Sequence, residues 1–213
     1  MATLNDSLLS GASGKLDGYV IYRVGKKTYM RKLAENVSNP RTDGQTMQRA
    51  KLPGAQTMYR AMRDGMLKDV LDVAAREEER RSGYHWFLHA NMNVFGKDHY
   101  IDYSRLELTA GSLQLPFEMK MIEGDETYAL FSWIDNSGSV TAQATDRLLV
   151  AAIFDDEPYS PVVLEMDRSC RGDGAGVVNL PEGTWKTVHL YCFFASETER
   201  RYSPCRYFSI SKS

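Results

Sequence analysis

The sequence predicts an α+β fold: a β-hairpin with short helices in residues 1–100, then a seven-stranded β-sandwich in residues 101–213. Three observations carry this prediction. Two runs rich in Tyr, Val and Ile flank Gly25-Lys26, as in a hairpin. Apolar residues then recur at helical spacing between Met47 and Ala74. From Ile101 onward, short β-type runs alternate with turn residues, the rhythm of an all-β sandwich.

The elements follow in order. Residues 1–16 are small and polar, with Gly11 and Gly14, and read as an arm or flexible lead-in. In "GYVIYRVGKKTYMRKL" a Gly25-Lys26 turn of type II′ sets Tyr22 opposite Tyr29, Val20 opposite Arg31 and Val24 opposite Lys27. A lone hairpin is marginal in water, so this one must pack on something, in this chain or a neighbouring one. Pro40 then pushes Asn39 toward an extended backbone. Thr42 and Gln45 make a capping box, so a helix runs from Asp43 with Met47 and Ala50 on one side. Pro53-Gly54 is expected to kink or break it. A second piece, 55–68, carries Met58, Ala61, Met62 and Gly65. A third, 69–81, carries Val70, Leu71, Val73 and Ala74. It ends in "REEERR", a solvated face where Glu77 and Arg81 pair at i,i+4. Residues 84–100, "YHWFLHANMNVFGKDHY", are ambiguous between helix and strand.

The expected strands are "SRLELTAGSL", "YALFSWID", "DRLLVAAIF", "SPVVLEMDRS", "GAGVVNLP", "TVHLYCFFA" and "SPCRYFSIS". Phe131 and Trp133 share a face at period two. In "TVHLYCFFA", Val188, Leu190, Cys192 and Phe194 share one face, and His189, Tyr191 and Phe193 the other.

The bulk composition bounds the rest. With 213 residues, 43% hydrophobic and 25% charged, the chain can bury a real core. A net charge of −2 argues against a general coat for nucleic acid. The charge is unevenly spread. Residues 1–100 hold 16 basic and 11 acidic residues, and residues 101–213 hold 10 and 17. The segment 15–51 alone has 9 against 3. A chain with a positive and a negative end attracts its own copies head to tail, or an anionic partner. "MATLNDSLLSGASG" lacks the basic and apolar parts of a signal peptide, and no run of about 18 apolar residues exists. The expectation is a cytoplasmic product without a membrane span. Cys170, Cys192 and Cys205 form no C-x-x-C and read as reduced thiols, with Cys192 a small core residue.

Two resemblances add to this reading. "LFSWID", with Trp133, resembles the core-tryptophan strand of an immunoglobulin or fibronectin type III sandwich. "VVNLPEGTWKTVHLYCFF" resembles that fold's approach to its penultimate strand, with Tyr191 at the strand tyrosine. The whole chain also resembles an uncharacterised family common in Bacteroidetes. The matching residues are Asn39, Pro40, Arg41, Thr42, Gln45, Gln48 and Arg49; Trp133 and Asp135; Asp146, Leu148 and Val150; and His189, Tyr191, Phe193 and Phe194. The N-P-x-T-x-x-Q segment also resembles segments of uncharacterised phage and prophage structural genes. The resemblance implies this fold and a mobile-element setting, with no established activity. Where many members carry an aromatic after "QRA", this chain has "KLPG", which implies a shorter helix.

No chemistry is spelled out, and the reading is non-enzymatic: no catalytic residue, no metal, no cofactor. His85 and His89 stand at i,i+4 with His99 nearby, but there is no H-E-x-x-H, and Trp86, Phe87 and Leu88 mark an aromatic core segment. No G-x-S-x-G is present. Asp155-Asp156-Glu157 read as a solvated turn, with calcium the sharper alternative. "RGDGAG" lies between strands and is no phosphate loop.

Interaction is the stronger theme. The candidate residues are Arg23, Lys26, Lys27, Arg31, Arg41, Arg49 and Lys51, with Thr42 and Gln45 as a structural cap. The expected function is assembly, as a phage or prophage virion component. Its partners are its own copies, in a ring or tube, or other virion proteins. One alternative is nucleic-acid binding, with basic residues interleaved with Tyr19, Tyr22 and Tyr29. The other is a generic intracellular binding module. In the assembly reading, Arg41 and Arg49 point to carboxylates of this chain or its neighbour.

Overall fold

Strands β1 (Ala2–Thr3), β2 (Gly14–Leu16), β3 (Tyr19–Val24) and β4 (Lys27–Lys32) form an antiparallel sheet in the order β1-β4-β3-β2. They are seen in a computed structural model of the chain, which describes residues 2–3, 9, 11–24, 27–36, 39–164, 169–196 and 201–212. The chain divides into two compact units, Met1–Thr42 and Asp43–Ser213.

In the first unit the expected register is found, with Tyr22 opposite Tyr29, Val20 opposite Arg31 and Val24 opposite Lys27. The two tyrosine rings stack at 5.7 Å. The Gly25-Lys26 turn lies outside the described residues. The expected flexible arm is corrected. Ala2 and Thr3 pair with β4, and Lys15 pairs with Val20 of β3. The cause is local. Asp17 and Gly18 both take left-handed backbone, at φ 40° and 77°, and join Leu16 to the facing Tyr19. Two such residues make the tight turn whose twist suits a hairpin. Ile21 is the one buried apolar side chain among the described residues of this unit. Buried Thr28 sits beside it in the ladder partner strand, and its Oγ1 accepts the Gly11 amide at 3.0 Å.

The second unit opens with α1 (Asp43–Met62), which starts immediately after Thr42. Pro53 does not break it, so residues 55–62 of the expected second piece continue the same 20-residue helix, and the break falls at 63–65, ahead of the next helix at Met66. A proline removes one helical hydrogen bond, and packing offsets that loss here. Ala55, Met58 and Met62 are buried along the C-terminal half. Gly54 lets the backbone approach its neighbours: a Cβ there would lie 3.2 Å from Phe95 and 3.4 Å from Tyr159. By contrast, residues 43–50 are exposed throughout.

Helix α2 (Met66–Glu77) ends because Glu79 takes a left-handed φ of 54°. Arg81 therefore lies off the helix and the expected Glu77–Arg81 pair does not form; Arg80 meets Glu78 at 4.0 Å instead. The "REEERR" residues are exposed, as their composition implies. The ambiguous segment supplies α3 (Gly83–Asn91). Its Trp86 and Phe87 are buried, while His85 and His89 face solvent. The aromatic residues, not the histidines, are the core of that segment.

Seven further strands form two antiparallel sheets among the described residues. Strands β5 (Phe117–Gly124), β6 (Tyr128–Ile134) and β9 (Ala175–Asn179) run in the order β5-β6-β9. Strands β7 (Arg147–Phe154), β8 (Val162–Val163), β10 (Thr187–Ala195) and β11 (Arg206–Ser211) run in the order β11-β10-β7-β8. The strand expected in 104–113 is a 3-10 turn at Tyr103–Arg105 followed by irregular chain. The Asn91 side chain occupies the backbone there. It accepts the Glu107 amide at 2.8 Å and donates to the Glu107 carbonyl at 2.8 Å. Those groups are satisfied without a ladder.

The four-stranded sheet is the middle of three layers. On one face Val150, Ala152, Leu190, Cys192 and Phe194 join Ala129, Phe131, Trp133 and Val178 of the other sheet in one core. On the opposite face Ala151, Ile153, Tyr191 and Phe193 join Met58, Leu71, Trp86 and Phe87 of the helices in another. Strand β10 is thus covered on both sides, which explains its unbroken apolar run. The boundary expected at residue 100 falls inside a shared core, and the compact units divide at Thr42 instead. Among the described residues no helix is long and apolar enough to cross a membrane.

Candidate interaction surface

Residues paired across an antiparallel ladder point to the same face. On one face of the first sheet lie Val20, Tyr22 and Val24 of β3, Lys27, Tyr29 and Arg31 of β4, and Lys15 of β2. Ile21, Arg23, Thr28 and Met30 lie on the other. The tyrosine face is apolar at its middle and cationic around it. Val24 is 60% exposed, Tyr22 and Tyr29 are half-buried, and Lys15, Lys27 and Arg31 are exposed. Among the described residues no acid pairs with these three cations; the ion pair of this unit joins Lys32 to Glu35 at 3.0 Å. The unit carries seven basic and three acidic residues, a net +4, and the rest of the chain 19 and 25, a net −6.

The structure brings together Lys27 and Arg31 from the expected set. Arg23 points to the opposite face, and Lys26 lies outside the described residues. Arg41 precedes α1 in left-handed backbone at φ 48°. Arg49 and Lys51 belong to the second unit, on α1. Lys51 donates to Asn93 Oδ1 at 3.4 Å beside a cleft of about 270 Å³ lined by Phe95, His99 and Tyr159. Thr42 and Gln45 flank the start of α1 where a cap belongs. Lys15 is the member of the face that sequence reasoning missed. Its signal was Asp17-Gly18, a strong hairpin dipeptide.

Other expected chemistry resolves into structure. His85 Nδ1 lies 2.8 Å from Ser82 Oγ on the exposed side of α3. Among the described residues no group of three His, Cys, Asp or Glu is placed to hold a metal ion. Asp155 Oδ1 accepts the Lys186 amide at 2.8 Å, and Asp156 Oδ2 accepts the Thr184 hydroxyl at 2.9 Å. These acids fasten two loops together. Arg171 of the RGD triplet is fully buried, so the triplet is not presented to a partner. None of the three cysteines is in a disulfide, and burial pushes the Cys192 thiol well up from its ordinary value.

His189 gives a pH prediction. Its ring stacks on Tyr103 at 3.9 Å, and Nδ1 lies 2.8 Å from the Tyr207 hydroxyl. Burial lowers its pKa from the ordinary 6.5, with Asp155 partly opposing. The unfolded chain therefore binds a proton that the folded chain refuses. Stability is full above the unfolded pKa and falls as pH drops below about 6.5. The urea midpoint is expected to fall between about pH 7.5 and pH 5.5, and to fall less in His189→Gln. Equal pH slopes for the two proteins would show that His189 plays no part.

With the geometry in place, the comparisons with known proteins bear on it. A family model matches residues 11–208, from the first sheet through the helices and both sheets of the second unit. The chain belongs to the family of unknown function DUF6266. The family match shows kinship over nearly the whole length and brings no activity with it. A comparison with curated proteins gives no match. Among solved structures, the fibronectin type III domain of human fibronectin type III domain containing protein 3 is 11% identical with a TM-score of 0.34. That alignment covers 49% of this chain and 87% of the human domain. The FN1–FN3 domains of chicken CNTN1 are 10% identical with a TM-score of 0.33, over 49% of this chain and 33% of theirs. Likeness at that level carries no functional weight.

Proposed function

We propose that the protein is a non-enzymatic structural subunit that assembles through protein–protein contacts. The observation that carries this reading is the poverty of the first unit's core. A 42-residue unit with Ile21 as its buried apolar side chain, among the described residues, gains little from its own burial. It needs a neighbour to cover its exposed apolar residues. The opposite charges of the two units make a second copy a suitable neighbour. The likeness of the Asn39–Arg49 segment to phage and prophage structural genes supports a virion as the setting.

Light scattering of the purified protein tests this. A defined oligomer is expected at low salt, shrinking toward monomer as salt rises through about 0.5 M. The charge reversal Lys27→Glu with Arg31→Glu is expected to give monomers at low salt. A monomer at every salt and concentration contradicts assembly.

A second reading rests on the stacked Tyr22–Tyr29 pair flanked by Lys15, Lys27 and Arg31, an arrangement suited to single-stranded nucleic acid. It requires a shift of a single-stranded DNA probe with a steep salt dependence, abolished by the same reversal, from a protein of unchanged mass.

A further inference from the structure

The outer face of the β5-β6-β9 sheet is chemically unusual. Ala129, Phe131 and Trp133 of β6 point into the core, so Leu130, Ser132 and Ile134 point outward. Ladder pairing places Val177 beside Leu130, and Phe117 beside Ile134, on that same outer side. Phe117 and Ile134 are directly opposed, yet they are 54% and 53% exposed. A solvent-facing side of an antiparallel sheet is ordinarily polar. The rim is acidic. Glu123 pairs with Leu130, Asp125 and Glu126 form the turn into β6, and Asp135 follows β6; all four are exposed. Lys120 also faces outward, but Glu118 neutralises it at 3.1 Å. Hydrogen bonds from the Thr127 hydroxyl and amide hold the Asp125 carboxyl below its ordinary pKa.

This surface is the complement of the tyrosine face. One is an apolar strip with a negative rim, the other an apolar strip with a positive rim. We propose that the outer face of the β5-β6-β9 sheet is the seat for the Tyr22–Tyr29 face of a second copy, making a head-to-tail contact. The proposal rests on the assembly reading and names its two surfaces. A contact between unlike surfaces leaves one of each open at the ends of every dimer, so it propagates until a ring closes or a filament grows. Nucleic acid is unsuited to the acidic seat, because its phosphates would meet like charge.

The test uses two full-length charge-reversal variants. Lys27→Glu with Arg31→Glu spoils the positive face; Glu123→Lys with Asp125→Lys spoils the seat. Each alone is expected to weaken self-association by about a hundredfold, from like charges meeting across the contact. Mixed one to one, the variants regain association, because each keeps the surface the other lacks. Ile134→Asp, at an exposed position, is expected to weaken association without lowering the melting temperature. If the seat variant and Ile134→Asp assemble like the unchanged protein while the Lys27/Arg31 variant does not, assembly stands and this seat is wrong. If the mixture stays monomeric, the pairing of these two faces is wrong. If the unchanged protein never associates, the assembly reading itself falls.

Discussion

Asp146→Ala is expected to destabilise the protein by about 3–5 kcal/mol, the cost of stranding a buried charge. Arg171 is fully buried, and its Nε donates to Asp146 Oδ2 at 3.0 Å. Its Nη1 donates to Asn136 Oδ1 at 2.6 Å, and Asn136 in turn donates to the Leu115 carbonyl at 2.9 Å. The Arg171 carbonyl accepts the Trp133 indole at 2.7 Å, and the guanidinium lies 4.6 Å from the centre of the Phe194 ring. One arginine thus ties loops to strands of both sheets. Without Asp146 its charge loses the carboxylate hydrogen-bonded to it and keeps only the weaker field of the exposed Asp135. Removing both charges is a gentler change, because no charge is then stranded. Asp146→Leu with Arg171→Met is expected to cost clearly less than Asp146→Ala alone. Urea unfolding followed by tryptophan fluorescence measures all three proteins. A loss below about 1 kcal/mol for Asp146→Ala would mean that water reaches this pair.

The second large effect concerns where the chain can be cut. A fragment of residues 43–213 is expected to fold cooperatively, and a fragment of residues 101–213 is not. The shorter piece loses α1, α2 and α3 and bares Ala151, Ile153, Tyr191 and Phe193 on the middle sheet. Exposing large side chains costs about 1.5–3 kcal/mol each, against a total stability of about 5–15 kcal/mol for a typical domain. Circular dichroism melts and binding of a hydrophobic dye would show the difference. A sharp melt for 101–213 matching that of 43–213 would restore the boundary at residue 100.

The sequence-based boundary differs from the division between the compact units for a physical reason. Helical and strand periodicities change near Ile101, but periodicity reports which faces are apolar and not what they pack on. "TVHLYCFFA" did carry the clue, since a strand apolar on both faces needs two covers. The hairpin register was legible because Gly25-Lys26 reads as a two-residue turn between two Tyr-bearing runs, and such a turn fixes which residues face one another. Strands of two and three residues, such as β1 and β2, are too short to show a period. Residues 104–113 alternate well enough to suggest a strand, and no local signal says that Asn91 takes their backbone. Within the interaction surface, Lys27 and Arg31 were legible from the register. The position of Arg23 on the other face was also legible, since it is one residue from Tyr22. The acidic seat was not, because β5 was not among the expected strands: its pairing slips between Phe117 and Lys120 and again between Met121 and Glu123, which spoils the period-two alternation that marks a strand.

The central claim is that the first unit relies on a neighbouring copy for its cover. Amide hydrogen exchange of β3 and β4, measured across a range of protein concentrations, tests it most directly. Protection of these strands is expected to rise with concentration, in step with the mass, while the protection of β7 and β10 stays constant. Strands β3 and β4 protected as strongly in dilute monomer as in concentrated solution would contradict it.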